Sequence, residues 1–234
     1  MKNGITRRTV VRGTAVVGAM AAAGVLIPAA ASAADRSGKG VGKRGATKPQ
    51  NVTANGWPVQ AIADRDSQVY TRTVSGTGLS VPVWIGDPEA ILLHVVRRFH
   101  YEVDQLHSPD LAGWQKTDGL DRRKPESNLA SGTAVRIRPG AAAKGSLFPL
   151  QELVVRDILA DCQGTVRWGG DDSSVDESLF YLDRGPDDAE IRKIADMFRT
   201  AETTPGQGAG TEVNVHAAAR RKRAKQLVRQ QQAG

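Results

Sequence analysis

Residues 127–136 read SNLASGTAVR, a pattern typical of an active-site loop that runs into a strand. Gly132 permits a close approach of the backbone, and small residues stand on both sides of it. Metal binding and proton transfer need His, Cys, Asp or Glu side chains, and this stretch contains none. The spacing of small residues around Gly132 therefore predicts an active-site loop, whereas the residue types in this stretch supply no catalytic group.

Three histidines of one predicted helix are the alternative source of metal ligands. His100 and His107 fall on nearly one helix face but two turns apart, too far to hold one ion, and His94 falls on another face. We therefore expect ordinary, partly exposed histidines and no relocated metal site. Cys162, the only cysteine, stands in an apolar context and is expected to be a small buried side chain rather than a nucleophile.

A later part of the sequence gives the loop a context. Residues 168–171 read WGGD, and residues 176–180 read DESLF. With residues 127–136 they resemble, in order, the VanY-type zinc D-alanyl-D-alanine carboxypeptidases and the related L-alanyl-D-glutamate endolysins. The family patterns are Ser-x-His-x-x-Gly-x-Ala-x-Asp, then Trp-Gly-Gly-Asp, then Asp/Glu-x-x-His-Phe. The resemblance covers about residues 87–183 and implies the Hedgehog/DD-peptidase fold.

Two imidazoles and one carboxylate hold Zn²⁺ in that family, and a second carboxylate takes a proton from the zinc-bound water. The three ligand positions correspond here to Leu129, Arg136 and Leu179, and only the base position is retained, as Asp176. Leucine offers no lone pair. A guanidinium about 4 Å from a divalent cation repels it by several kcal/mol even at an effective dielectric of about 20. We therefore expect no metal, no zinc cofactor and no peptidase activity, as in a pseudoenzyme.

The retained residues around this changed centre predict a peptide-binding cleft. The candidate binding residues are Ser127, Arg136, Trp168, Asp171 and Gln115, the last at the position of the family's substrate-holding arginine. We expect Arg136 to pair with the terminal carboxylate of a cell-wall peptide, or the cleft to bind a protein partner.

Two alternatives stay open at this point. The first is an active peptidoglycan metallopeptidase whose ligands are not recognised. The second is a structural or interaction protein in which Leu129 and Leu179 pack together and fill the cleft, with Arg136 bonded to Asp176 or Asp171. A filled cleft would indicate the structural or interaction protein, an open cleft a peptide-binding protein, and a metal-occupied cleft an active peptidase.

The positions of these residues depend on a mixture of strands and helices. Asp87 and Pro88 are expected to open a helix that runs to about His107, and two more helices are expected at 149–162 and 186–200. Strands are predicted at 68–74, 79–85, 133–138, 165–168 and 179–183. Because the order is irregular, we predict a single α+β domain, a small antiparallel sheet with flanking helices.

The two ends of the chain differ from this domain. Residues 6–12 carry a twin-arginine pattern, an apolar run ends at Pro28, and Ala31-Ser32-Ala33 fits a cleavage site, so residues 1–33 are predicted to be a twin-arginine signal peptide. We expect an exported protein, extracellular or associated with the cell wall, without a permanent membrane span. Residues 34–55 are predicted to be a flexible basic linker, 56–200 the carboxypeptidase-like domain and 201–234 a flexible basic tail.

The formal net charge of +7 is unevenly distributed, because four cations lie in the first 12 residues and six lie between residues 220 and 229. The part between them is mildly acidic. The basic tail is first expected to be a solvated helix end; if it has an anionic partner, we expect a wall polymer or an anionic lipid surface rather than nucleic acid.

Overall fold

Strands and helices of this chain mix without regular alternation. The computed structural model describes residues 51–119 and 121–233, and within them it has six strands and four α-helices. Both sheets are antiparallel, which confirms the predicted α+β class. The predicted signal peptide and residues 34–50 of the predicted linker lie outside the described residues.

The strands form two sheets. β1 (Val69–Val74) and β2 (Leu79–Trp84) pair as a hairpin. The second sheet has the order β3-β4-β6-β5 and consists of β3 (Leu111–Ala112), β4 (Ala134–Ile137), β5 (Val166–Trp168) and β6 (Leu179–Leu182). All the strands that we predicted are present within one or two residues, and β3 is an addition.

The four helices are α1 (Asp87–Glu102), α2 (Pro149–Asp161), α3 (Ala189–Thr203) and α4 (Ala218–Ala233). α1 begins where we predicted, with Pro88 in its first turn, but it ends before His107. The apolar spacing predicted a longer helix because Leu106 is buried, although it lies after the end of the helix. Its backbone N–H donates to Nδ1 of His100 at 3.0 Å, so the chain folds back after Glu102.

β4 and β6 lie at the centre of the second sheet and have two different faces. Successive side chains of a strand alternate between the faces. One face belongs to the main core and carries Val135, Ile137, Phe180 and Leu182. The opposite face, here called the front face, carries Ala134, Arg136, Leu179 and Tyr181, which are direct cross-strand neighbours.

The predicted linker ends earlier than we expected. Val52 pairs with Pro58, and Thr53 is 3% exposed. The N–H groups of Ala54 and Asn55 donate to the side chains of Ser127 and Asn128. Because this stretch is held by hydrogen bonds rather than by apolar contacts, its sequence shows no periodicity and its role was missed.

The prediction of a flexible tail from residue 201 is wrong for α4. Ala224 and Leu227 of α4 are buried, and Arg220 bonds the carboxylates of Asp157 and Asp161 on α2. These acidic partners are distant in sequence, so the basic run alone did not reveal them. None of the helices in the described residues is long and apolar enough to cross a membrane.

Candidate functional site

The front face brings together the three positions that the resemblance assigns to metal ligands. Arg136 on β4 and Leu179 on β6 are directly opposite each other in the register. Leu129 comes from the turn before β4 and packs with Leu179 in a small cluster completed by Ala134 and Tyr181. Positions that are distant in sequence therefore meet at one place, as a metal site requires of its ligands.

Apolar side chains fill the point on the front face where these three positions meet. Leu129 and Leu179 are each 1% exposed, and their neighbours in the cluster, Ala134 and Tyr181, are also buried. Buried aliphatic side chains supply dispersion contacts but no electron pair for a cation. The residues present at these positions therefore do not fit a zinc ion.

The retained base position is occupied by an ion pair. Nη1 of Arg136 lies 2.6 Å from Oδ2 of Asp176. The other carboxylate oxygen accepts hydrogen bonds from the backbone N–H of Ser178 at 3.1 Å and from its hydroxyl at 2.6 Å. Both oxygens of Asp176 thus have protein partners, and Arg136 bonds to Asp176, one of the two carboxylates named for it in the filled-cleft alternative.

The turn before β4 approaches the hairpin closely at Gly132. This glycine has φ of 71°, and its carbonyl accepts from the N–H of Trp84 at 2.8 Å. A Cβ at this position would stand 2.6 Å from Cγ2 of Val69 and 2.9 Å from the nitrogen of Trp84. The predicted close approach of the backbone is therefore confirmed, and its partner is β2 rather than a ligand.

Two candidate binding residues belong to the same turn region. Ser127 is 1% exposed, and its hydroxyl oxygen accepts from the N–H of Ala54 at 2.9 Å. Gln115 is exposed, and its backbone N–H donates to the carbonyl of Leu129 at 3.3 Å. Ser127 therefore holds the turn in place, and Gln115 lies on the surface beside it.

The other two candidates, Trp168 and Asp171, make contacts away from the front face. Trp168 is buried in the main core, and its indole N–H donates to the carbonyl of Glu177 at 2.8 Å. Asp171 bonds through both oxygens to Arg156 of α2, whose guanidinium carbon lies 4.8 Å from the centre of the Trp168 ring. Residues 168–171 thus fix β5 to α2.

Some polar residues of this region were missed by sequence reasoning. The buried Glu177 carboxylate accepts from the N–H groups of Gly145 at 2.7 Å and Leu147 at 3.0 Å. The hydroxyl of Tyr181 donates to Asp172 at 2.8 Å, and burial raises the pKa of both side chains. The partners of Glu177 are backbone groups, which leave no signal in a sequence pattern.

The remaining candidate groups form no second site. His94 differs from the ordinary histidine that we expected, since its ring stacks on Phe198 at 3.7 Å and neither ring nitrogen has a partner in the described part of the chain. Cys162 is fully buried, as predicted, and burial raises the pKa of its thiol. Among residues 51–119 and 121–233, no three His, Cys, Asp or Glu side chains are grouped to hold a metal ion.

No known protein gives a guide to the function of this chain, so the contacts described above are the evidence for it. The chain matches no protein-family model, no curated protein and no solved structure.

Proposed function

We propose that this protein is a non-catalytic relative of the VanY-type zinc peptidases, with a Hedgehog/DD-peptidase-like fold, that acts through binding instead of hydrolysis. One observation carries the proposal. The Arg136–Asp176 ion pair, 2.6 Å long, borders a centre that Leu129 and Leu179 fill. This is the geometry expected of the interaction protein with a filled cleft.

Charge and packing at this centre support the loss of metal chemistry. A metal site needs electron pairs from its ligands and carries a positive charge next to the base. The leucines replace two ligands with hydrocarbon, and the Arg136 guanidinium brings a positive charge to Asp176. Arg136 neutralises the Asp176 carboxylate in place of a metal ion, and the two leucines fill the space that the ion would take.

A second candidate function rests on the exposure of Arg136. Its side chain is 22% exposed although it is paired with Asp176. An accessible guanidinium can bind a carboxylate through its remaining N–H groups. A cell-wall peptide with a terminal carboxylate is therefore a candidate ligand, and the predicted twin-arginine signal would bring the protein to the wall.

Hydrolysis is the direct test of the first proposal. The purified chain is supplied with zinc and with a stem peptide that ends in D-Ala-D-Ala, and released D-alanine is measured. We expect no release above the protein-free blank, because the three ligand positions hold no zinc donor. Release that depends on zinc and stops with a chelator would overturn the proposal in favour of an active metallopeptidase.

Calorimetry with the same peptide tests the second candidate. Binding heat at about millimolar peptide that is lost in Arg136→Met supports it, since weak ligands have dissociation constants in this range. Arg138→Met is the matched control, because Arg138 follows Arg136 by two residues and pairs with Asp104 at 3.2 Å instead. Absence of heat, or equal heat from both variants, contradicts carboxylate binding by Arg136.

A further inference from the structure

α4 presents a row of unneutralised cations. The helix contains no acidic residue. We call Arg221, Lys222, Lys225 and Arg229 the α4 basic face; all four are exposed. In the described part of the chain none of them has an ion-pair partner, in contrast to Arg220, which bonds Asp157 and Asp161. Residues spaced by four lie about 6 Å apart along one side of a helix, so three of these cations form a line.

This line is held on a fixed element. Arg220 anchors the start of α4 to α2, with contacts of 2.6 Å to Asp157 and 2.7 Å to Asp161. Ala224 and Leu227 bury the opposite side of the helix, and the side-chain amide of Gln231 donates to the carbonyl of Val166. The backbone that carries the cations is therefore fixed before any ligand arrives, which lowers the entropic cost of binding.

Two exposed apolar side chains stand at the start of α2, the helix that packs against α4. Phe148 is 74% exposed and Leu150 is 62% exposed, more than any other large hydrophobic residue described. Pro149 stands between them and lines a groove of about 440 Å³ between α2 and α4. The groove is also lined by Leu153, Val228, Arg221, Lys225 and Arg229. Its two carboxylates, Glu152 and Asp157, are paired with Arg156 and Arg220 respectively. Three of the α4 cations thus line a groove whose wall includes Pro149, the residue between the two exposed apolar side chains.

We propose that this surface binds peripherally to an anionic lipid bilayer. The α4 basic face contacts the phosphates of the headgroups, and Phe148 and Leu150 enter the interface. A soluble polyanion would engage the cations but leave the two exposed apolar side chains without a role. A bilayer uses both, and the two weak contributions combine into stable attachment. The proposal is independent of the former active-site residues.

Vesicle sedimentation with the full chain tests this proposal. Vesicles of phosphatidylcholine alone are compared with vesicles that contain about 30% phosphatidylglycerol, a strongly anionic surface. We expect binding to the anionic vesicles only, and weaker binding as salt is added. Arg221→Gln with Lys225→Gln should weaken binding about 25-fold, since each cation near the surface contributes about fivefold. Phe148→Ser with Leu150→Ser should weaken it about tenfold or more.

The matched control is Arg192→Gln with Lys193→Gln, which removes two exposed cations from α3 and should leave vesicle binding unchanged. Circular dichroism establishes that each variant is folded. Equal binding to neutral vesicles, no binding to either kind, or unchanged binding by either test variant overturns the proposal. Binding to soluble polyphosphate that is as tight as vesicle binding and insensitive to Phe148→Ser with Leu150→Ser also overturns it, in favour of a soluble polyanion.

Discussion

Arg136 stands where the resembling peptidases have a zinc-binding aspartate, and it brings a positive charge of its own. Its guanidinium faces Asp176, whose other oxygen is bonded to Ser178. Burial of Leu129 and Leu179 next to this pair removes the space that an ion and a water molecule would need. At this scale the proposed loss of zinc binding rests on three side chains.

His94 gives a residue-scale prediction about pH. Burial, and then the charges of Arg98, Arg97 and Arg220, lower the pKa of His94 to about 3, whereas an unfolded histidine has a pKa of about 6.5. Between these values the unfolded chain binds a proton that the folded chain does not. The stability contribution of a neutral His94 is therefore complete above about pH 6.5 and falls by about 1.4 kcal/mol per pH unit below it, until about pH 3.

His94→Phe should remove this dependence and keep the stack on Phe198. Between pH 7 and pH 5 the parent is expected to lose about 2 kcal/mol more free energy of unfolding than the variant. Urea denaturation at the two pH values measures the difference. Equal losses in parent and variant would show that His94 is not held neutral in the folded state.

Sequence patterns predicted the local features of the site but not its distant partners. Gly132 and the Arg136–Asp176 pair were predictable, because a turn glycine has few roles and a central cation needs an anion. The contacts of Ser127 with Ala54 and of Asp171 with Arg156 were not predicted. These partners come from segments that the motifs do not include, and only the folded chain brings them together.

At the scale of elements, Arg220 makes the shortest ion pairs between α4 and the rest of the described chain. The Asp157 side chain is 4% exposed, and it is shared between Arg220 of α4 and Arg98 of α1. Arg220→Met should lower the free energy of unfolding by about 1–3 kcal/mol. This is less than for a fully buried pair, because Arg220 is 21% exposed and Arg98 still partners Asp157.

Urea denaturation and hydrogen exchange of the α4 amides measure this effect. Lys222→Met is the matched control on the same helix, since Lys222 is exposed, and a change within about 0.5 kcal/mol is expected for it. If Arg220→Met is equally neutral and the α4 amides exchange as slowly as in the parent, then apolar contacts alone hold α4.

The starts of the helices show which sequence signals predicted the structure correctly. Helix starts at Asp87 and Pro149 were predicted, because proline fixes the first turn. α4 was not assigned to the domain, because its buried residues, Ala224 and Leu227, are too few to give an apolar stripe. Ion pairs with α2 therefore stabilise the packing of α4, whereas an apolar stripe stabilises the packing of α1.

At the scale of the whole molecule, the described residues separate two surfaces. The front face around Arg136 is closed by leucines and an ion pair, whereas the α4 basic face is open and charged. The two proposals concern different surfaces: the first concerns the front face, and bilayer attachment concerns the α4 basic face.

Zinc content shows whether the three positions on the front face hold a metal ion. The parent and the variant that combines Leu129→His, Arg136→Asp and Leu179→His are purified without chelators, dialysed against zinc and analysed by mass spectrometry for metal per chain. The account predicts no zinc in the parent and about one zinc ion per chain in the variant, because the three positions converge on the front face. About one zinc ion per chain in the parent, or none in a folded variant, would contradict it.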